Sequence, residues 1–265
     1  QRTIPGPGGD LALRIYRPQG NGPFPLLVFF HGSGFVLCSL DTHDGMCRNL
    51  CAGGQCIVVS VDYRLAPETP FPGPQEDCYA ALEWLSTHAA ELGVDPARIV
   101  VIGESAGGGL SAALAQMVRD RAELQLAGQA LIYPMLDYRT GSPASPWHNP
   151  YAGQQVWTAP NSQFGWASLR GDYAIDDHRK GWFSPAMADD LTGLAPAFVS
   201  AAALDLLVDE DIDYARRLNA AGVAVEAHLY PGAFHGFDGF DGARVSRAAN
   251  AHLEAWLARQ LYPED

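Results

Sequence analysis

Two hydrophobic patterns alternate along this chain. Pro25-Leu-Leu-Val-Phe-Phe30, Arg98-Ile-Val-Val-Ile102 and Ala195–Leu204 are short, nearly unbroken apolar runs, the pattern of strands buried on both faces. Val223–Tyr230 instead alternates apolar and polar positions and reads as an edge strand. Near the start, Thr3–Asp10 reads as a first hairpin and Leu11–Arg17 as the next strand. Helix formers fill Gly109–Val118, the segment from Asp209 to Ala221, and Ala243–Leu261. Strands that alternate with helices across glycine- and proline-rich loops predict an α/β fold, with a mostly parallel central sheet flanked by helices.

One junction between the patterns carries chemistry. Gly103-Glu104-Ser105-Ala106-Gly107 lies between the Arg98–Ile102 strand and the Gly109–Val118 helix. Such a turn is too tight for side chains at its flanking positions, so the glycines relieve crowding and Ser105 projects at the sheet's carboxyl edge. An incidental serine in a glycine-rich turn is the plainer alternative. The strand before and the helix after favour a nucleophile.

A serine hydroxyl needs a base and a group that orients the base. On a sheet with this kind of turn, the acid and then the histidine follow in chain order. His228, His235 and His252 come late enough. His228 alternates within a strand and His252 sits on the closing helix, whereas His235 stands in the glycine-flanked loop Pro231–Phe237. His235 is therefore the expected base. Asp205 is the first acid after the Ala195–Leu204 strand and is the expected orienter, with Asp209 as fallback. The run Asp209 to Asp213 is read as a solvated first helical turn, favoured by the helix dipole. The Pro25–Phe30 strand empties into His31-Gly-Ser-Gly-Phe35, where backbone N–H groups can face a developing oxyanion. Gly32, Ser33 and Ala106 are the expected donors, and His31 is expected to brace the loop.

Five ordered blocks resemble the bacterial hormone-sensitive-lipase-like esterases, a branch of the α/β-hydrolase superfamily. They are His31–Phe35 against H-G-G-G-[FW], Asp62–Glu68 as D-Y-R-L-A-P-E, Gly103–Gly108 against G-D-S-A-G-G, Asp205–Glu210 against D-P-L-x-D-E, and His235–Phe237 as H-G-F. Ser33, Glu104 and Leu206 are the departures. The resemblance implies a carboxylesterase that cleaves short- to medium-chain acyl esters through Ser105, His235 and Asp205 and an acyl-enzyme. An amidase or formamidase on the same triad, or a non-catalytic small-molecule receptor, are the alternatives. It also implies a cap over the site, and the early first hairpin predicts a reduced cap lacking its N-terminal part, with an open pocket. Dimerisation through strand 223–230 is a further expectation. Tyr63–Glu68 is expected to scaffold the loop, with Arg64 and Glu68 able to pair.

About fifty residues between Tyr133 and the Asp205 strand do not read as a simple crossover. Residues 140–185 hold Trp147, Trp157, Trp166 and Trp182 with several prolines, and read as a cap-like insertion. Its rings either wall an apolar pocket or pin the insertion to the core. Phe35, Glu104, Trp157, Phe164, Leu206 and Phe237 are the candidate pocket residues.

Composition bounds the rest. At 265 residues and 48% apolar content, the chain is expected to form one domain over 1–265. A net charge of −13 argues against nucleic acid and anionic membranes as partners. No apolar segment reaches the roughly twenty residues of a membrane span. Cys38, Cys47, Cys51, Cys56 and Cys78 are an odd set without C-x-x-C spacing, expected as buried free thiols in a reducing cytoplasm. No metal and no cofactor is implied.

Overall fold

The computed structural model describes residues 1–263 apart from Ser33. The strands are β1 (Arg2–Gly6), β2 (Gly9–Tyr16), β3 (Phe24–Phe30), β4 (Ile57–Val61), β5 (Val94–Glu104), β6 (Gly128–Ile132), β7 (Ala197–Ala202) and β8 (Val225–Tyr230). The helices are α1 (Asp44–Gly54), α2 (Gly73–Thr87), α3 (Ala89–Leu92), α4 (Ala106–Arg121), α5 (Ala159–Arg170), α6 (Lys180–Phe183), α7 (Val208–Ala220) and α8 (Arg244–Leu261). Among the described residues the eight strands form one sheet in the order β1-β2-β4-β3-β5-β6-β7-β8. β2 runs antiparallel to β1 and β4, and every pairing from β4 to β8 is parallel. The hairpin and the following strand expected at the start are one pair, because β2 begins at Gly9.

Strand periodicity sorts the core into two faces. Val28 and Phe30 of β3 join Val101 of β5 on the face covered by α2 and α4. Leu27 and Phe29 join Val100 and Ile102 on the face covered by α1 and α8. α7 packs beside α4, over β6 and β7. The chain leaves β3 toward β4 and then crosses back to β5 and β6, so loops after β3 and β5 diverge. That divergence opens a crevice at the carboxyl ends of these two strands. His31–Phe35 and the Ser105 turn both empty into it.

Two electrostatic expectations are corrected. Arg64 does not pair with Glu68; its guanidinium and backbone N–H bind Asp77, with Nε–Oδ2 and Nη2–Oδ1 both at 2.7 Å and N–Oδ2 at 3.0 Å. Asp77 is buried on α2, so the pair ties the loop after β4 to the core. The acidic run on α7 is not all solvated: Glu210 and Asp211 are 1% and 0% exposed. Glu210 Oε1 accepts from the backbone N–H groups of Leu136 (2.7 Å) and Asp137 (3.3 Å), satisfying donors in the loop after β6. All five cysteines are free; Cys38 is exposed, contrary to expectation, and the other four are buried.

Candidate active site

The turn after β5 is strained and crowded. Ser105 has φ 55° and ψ −120°, a conformation that costs a non-glycine residue about 1–3 kcal/mol. A Cβ at Gly107 would stand 2.0 Å from the carbonyl oxygen of Phe30, and one at Gly103 would stand 2.3 Å from Gly107. Only glycine lets α4 start this close to β3. Backbone bonds then lock the serine: its N–H donates to Ile132 O, and its own carbonyl accepts from Met135 N–H, both at 2.9 Å.

Three side chains distant in sequence meet here. His235 Nδ1 lies 2.6 Å from Asp205 Oδ2, and His235 Nε2 lies 2.9 Å from Ser105 Oγ. A carboxylate only accepts, so Nδ1 carries the proton and Nε2 is left to accept from the serine hydroxyl. Asp205 is fully buried, and its other oxygen accepts from Leu207 N–H at 3.3 Å. The acid and base loops are stitched together by Leu204 N–H to Ala233 O at 2.8 Å. His228 and His252, the other late histidines, stack on each other with ring centroids 4.2 Å apart. Asp209, the fallback acid, lies on α7.

Gly32 abuts the same turn: a Cβ there would lie 3.2 Å from Glu104 O and 3.5 Å from Ser105 Cβ. Ala106 opens α4, where N–H groups have no partner within the helix. Ser33, the third expected donor, lies outside the described residues. His31 is buried and stacks on Tyr63 with centroids 4.4 Å apart, while Tyr63 Oη donates to His31 O at 2.7 Å. Burial, helped by the nearby His43, pushes the His31 imidazole down to about 4. It therefore braces the loop as a neutral ring.

A family model described as an alpha/beta hydrolase fold matches residues 27–239. The chain belongs to the hormone-sensitive-lipase-like esterases of the α/β-hydrolase family. It is 41% identical over 242 residues to the carboxylic ester hydrolase LipN of Mycobacterium tuberculosis, covering 89% of this chain and 63% of LipN. This chain thus spans less than two thirds of that relative. It is 38% identical to the esterase LipI of the same organism, covering 96% of this chain and 79% of LipI. Among solved structures, a bacterial heroin esterase matches with a TM-score of 0.90 and 38% identity, over 98% of this chain and 83% of the other.

The segment 140–185, expected as a cap-like insertion, splits its aromatic residues between two roles. Trp166, Trp182 and Phe183 are buried with Phe35 and Phe71 and pin the insertion to the core, each contributing roughly 1.5–3 kcal/mol by the usual area scale. Trp157 faces the site: its ring lies 5.8 Å from that of His235 and covers Gly34, where a Cβ would meet it at 2.4 Å. Phe164 is 61% exposed, because Trp166 takes the inward position on α5. Leu206 packs on Gly153, whose N–H donates to Leu204 O at 3.0 Å and clamps the insertion to the acid loop. Phe35 packs on Trp166 with ring centroids 5.0 Å apart and planes tilted at 54°, and Phe237, at the end of the base loop, packs against Tyr133 and Tyr230; both back the site from inside the core.

Glu104 lines a cavity of about 780 Å³ between α1 and α8, together with His43, Asp238 and Leu253. Its Oε2 lies 3.2 Å from His43 Nε2. Asp238 accepts from Tyr133 Oη at 2.6 Å, and burial plus the Glu104 charge raise its carboxyl to about 7. Sequence reasoning assigned no role to His43, Tyr133 or Asp238.

Proposed function

We propose that this chain is a serine carboxylesterase acting on short- to medium-chain acyl esters. One observation carries the reading: an unbroken hydrogen-bonded line from Ser105 Oγ through His235 to a buried Asp205, with distances of 2.9 and 2.6 Å. In this mechanism Ser105 Oγ attacks the ester carbonyl while His235 Nε2 takes its proton. The C=O π bond opens and its electron pair becomes an oxyanion facing the N–H groups of Gly32 and Ala106. The tetrahedral intermediate collapses, the C–O bond to the alcohol breaks, and the alcohol departs with the proton from His235. Water then repeats the sequence on the acyl-serine and releases the acid. Asp205 holds the imidazole and balances its charge while it is protonated.

Family membership and the names of the relatives support the ester class, and the inward Trp157 supports an apolar acyl or alcohol group. A fluorophosphonate probe is expected to label Ser105 in the wild type and to leave Ser105→Ala unlabelled. Hydrolysis of p-nitrophenyl butyrate should fall in that variant by at least about 10³-fold. An unlabelled wild type, as expected of a non-catalytic receptor, overturns the reading; faster turnover of anilides than of esters assigns it to the amidases. The same reading takes the exposed edge of β8 as a self-association surface. A cytoplasmic location fits five free thiols, four of them buried. No helix among the described residues is long and apolar enough to cross a membrane.

A further inference from the structure

We propose that Tyr133 and Asp238 are positioning residues for His235, forming a strut that sets the base loop against the serine turn. The proposal rests on reading Ser105, His235 and Asp205 as a hydrolytic triad.

The need for a strut lies in the base loop itself. Gly232 and Gly236 both sit at positive φ, 71° and 77°, with open space where a Cβ would be. A glycine-hinged loop does not by itself hold an imidazole to the few tenths of an ångström that proton transfer requires. Asp205 holds Nδ1 throughout, but the Ser105 contact at Nε2 is made and broken during the reaction. Leu204 N–H fixes the loop at Ala233, before the imidazole; a hold beyond Gly236, also independent of the reacting atoms, completes it.

Tyr133 supplies it from the serine side. Its neighbours Ile132 and Met135 both bond to the backbone of Ser105, and its own N–H donates to Ser200 O on β7 at 2.8 Å. Tyr133 thus moves with the serine turn. Its φ of 34° is left-handed, a conformation that an aromatic residue keeps only where its surroundings over-determine it. The ring stands at 60° to the His235 imidazole, with centroids 4.9 Å apart. Its hydroxyl reaches past His235 to Asp238 Oδ1 at 2.6 Å.

Asp238 completes the strut from the base side. It lies in the short turn Phe237–Gly239, which α8 anchors through Ser246 Oγ to Phe237 O at 2.6 Å and Asn250 Nδ2 to Asp238 O at 3.2 Å. The groups facing its carboxyl are Tyr133, just after β6, and Glu104 from β5, which is bonded to Asp238, to Tyr133 and to His43 before α1. Protonated, Asp238 accepts from Tyr133 and donates to Glu104, and Tyr133 also bonds Glu104, so the three side chains form one closed cluster. The line Ser105–Tyr133–Asp238–His235 therefore runs beside the triad without using either ring nitrogen of His235.

Steady-state kinetics on p-nitrophenyl butyrate across pH 5–9 test this, with melting curves for every variant. Tyr133→Phe should keep KM within about twofold and lower kcat about ten- to hundredfold, the cost of a misplaced catalytic group. Asp238→Ala should match it, and the double variant should be no slower than either single one, because one strut is broken once. Asp238→Asn keeps an acceptor for the tyrosine and a donor for Glu104, and should retain most of the kcat. Should Tyr133→Phe not fold, the Asp238→Ala and Asp238→Asn contrast decides. An unchanged kcat with the pH profile intact, a loss confined to KM, or penalties that multiply in the double variant overturns the proposal. A wild type inert toward esters and fluorophosphonate overturns the triad reading, and this proposal falls with it; an active wild type with indifferent strut variants sinks the proposal alone.

Discussion

At the scale of single residues, two glycines show how context sets the sign of one substitution. Gly107 is the point where α4 meets the end of β3, and a Cβ there would be 2.0 Å from Phe30 O. Backbone cannot step aside cheaply, so Gly107→Ala is expected to destabilise the fold by at least about 3 kcal/mol, at the top of the overpacking range. Gly53, near the end of α1, has nothing within 4 Å of where a Cβ would go. Gly53→Ala is therefore expected to stabilise by about 0.5–1 kcal/mol, because it removes backbone freedom from the unfolded chain. Urea unfolding midpoints of the two variants should move in opposite directions; midpoints moving the same way would contradict the packing argument. The glycines of the G-x-S-x-G turn were legible in the sequence because the motif states a steric requirement. The partner that imposes it, a carbonyl 77 positions earlier in the chain, was not.

At the scale of elements, α7 shows where composition misleads. Asp209, Glu210, Asp211 and Asp213 look like a charged helical face, and the dipole argument fits them all equally. The helix direction decides otherwise, turning Glu210 and Asp211 inward with Tyr214 and Leu218. Glu210 has backbone donors, whereas both carboxyl oxygens of Asp211 are buried without a hydrogen-bond partner among the described residues. Burial first, then the charges of Glu210 and Asp205, raises the Asp211 carboxyl well above its ordinary value. The folded state then binds more protons than the unfolded one, so this group's contribution to stability declines as pH rises above its unfolded value of about 4. Asp211→Ala removes that slope. Its gain over the wild type should grow from pH 5 to pH 8, reaching about 1–3 kcal/mol, the usual cost of a buried unsatisfied polar group. Chemical denaturation at both pH values checks it, and a gain that shrinks with pH would contradict it.

At the scale of the whole molecule, strand order determines both the site and the surface. The reversal between β3 and β5 makes the crevice, and every catalytic candidate hangs on a loop at that end of the sheet. The same order leaves β8 at one edge, with Leu229 52% exposed and Ile212 of α7 45% exposed beside it. An unpaired apolar edge is a template for pairing with another strand. Light scattering is expected to give the mass of a dimer, and Leu229→Lys that of a monomer; a wild type at the monomer mass removes the self-association reading.

The sequence by itself determined the period of each element, the glycines that a tight turn demands, and the residue types that acyl transfer requires. Those properties act over a few neighbouring positions, so they are written locally. Which carboxylates are buried, which partner Arg64 takes, and how Tyr133 comes to stand between Ser105 and Asp238 depend on contacts between distant segments. Only the packing of helices on the two faces of the sheet decided them, because burial and hydrogen-bond partners are properties of the assembled fold.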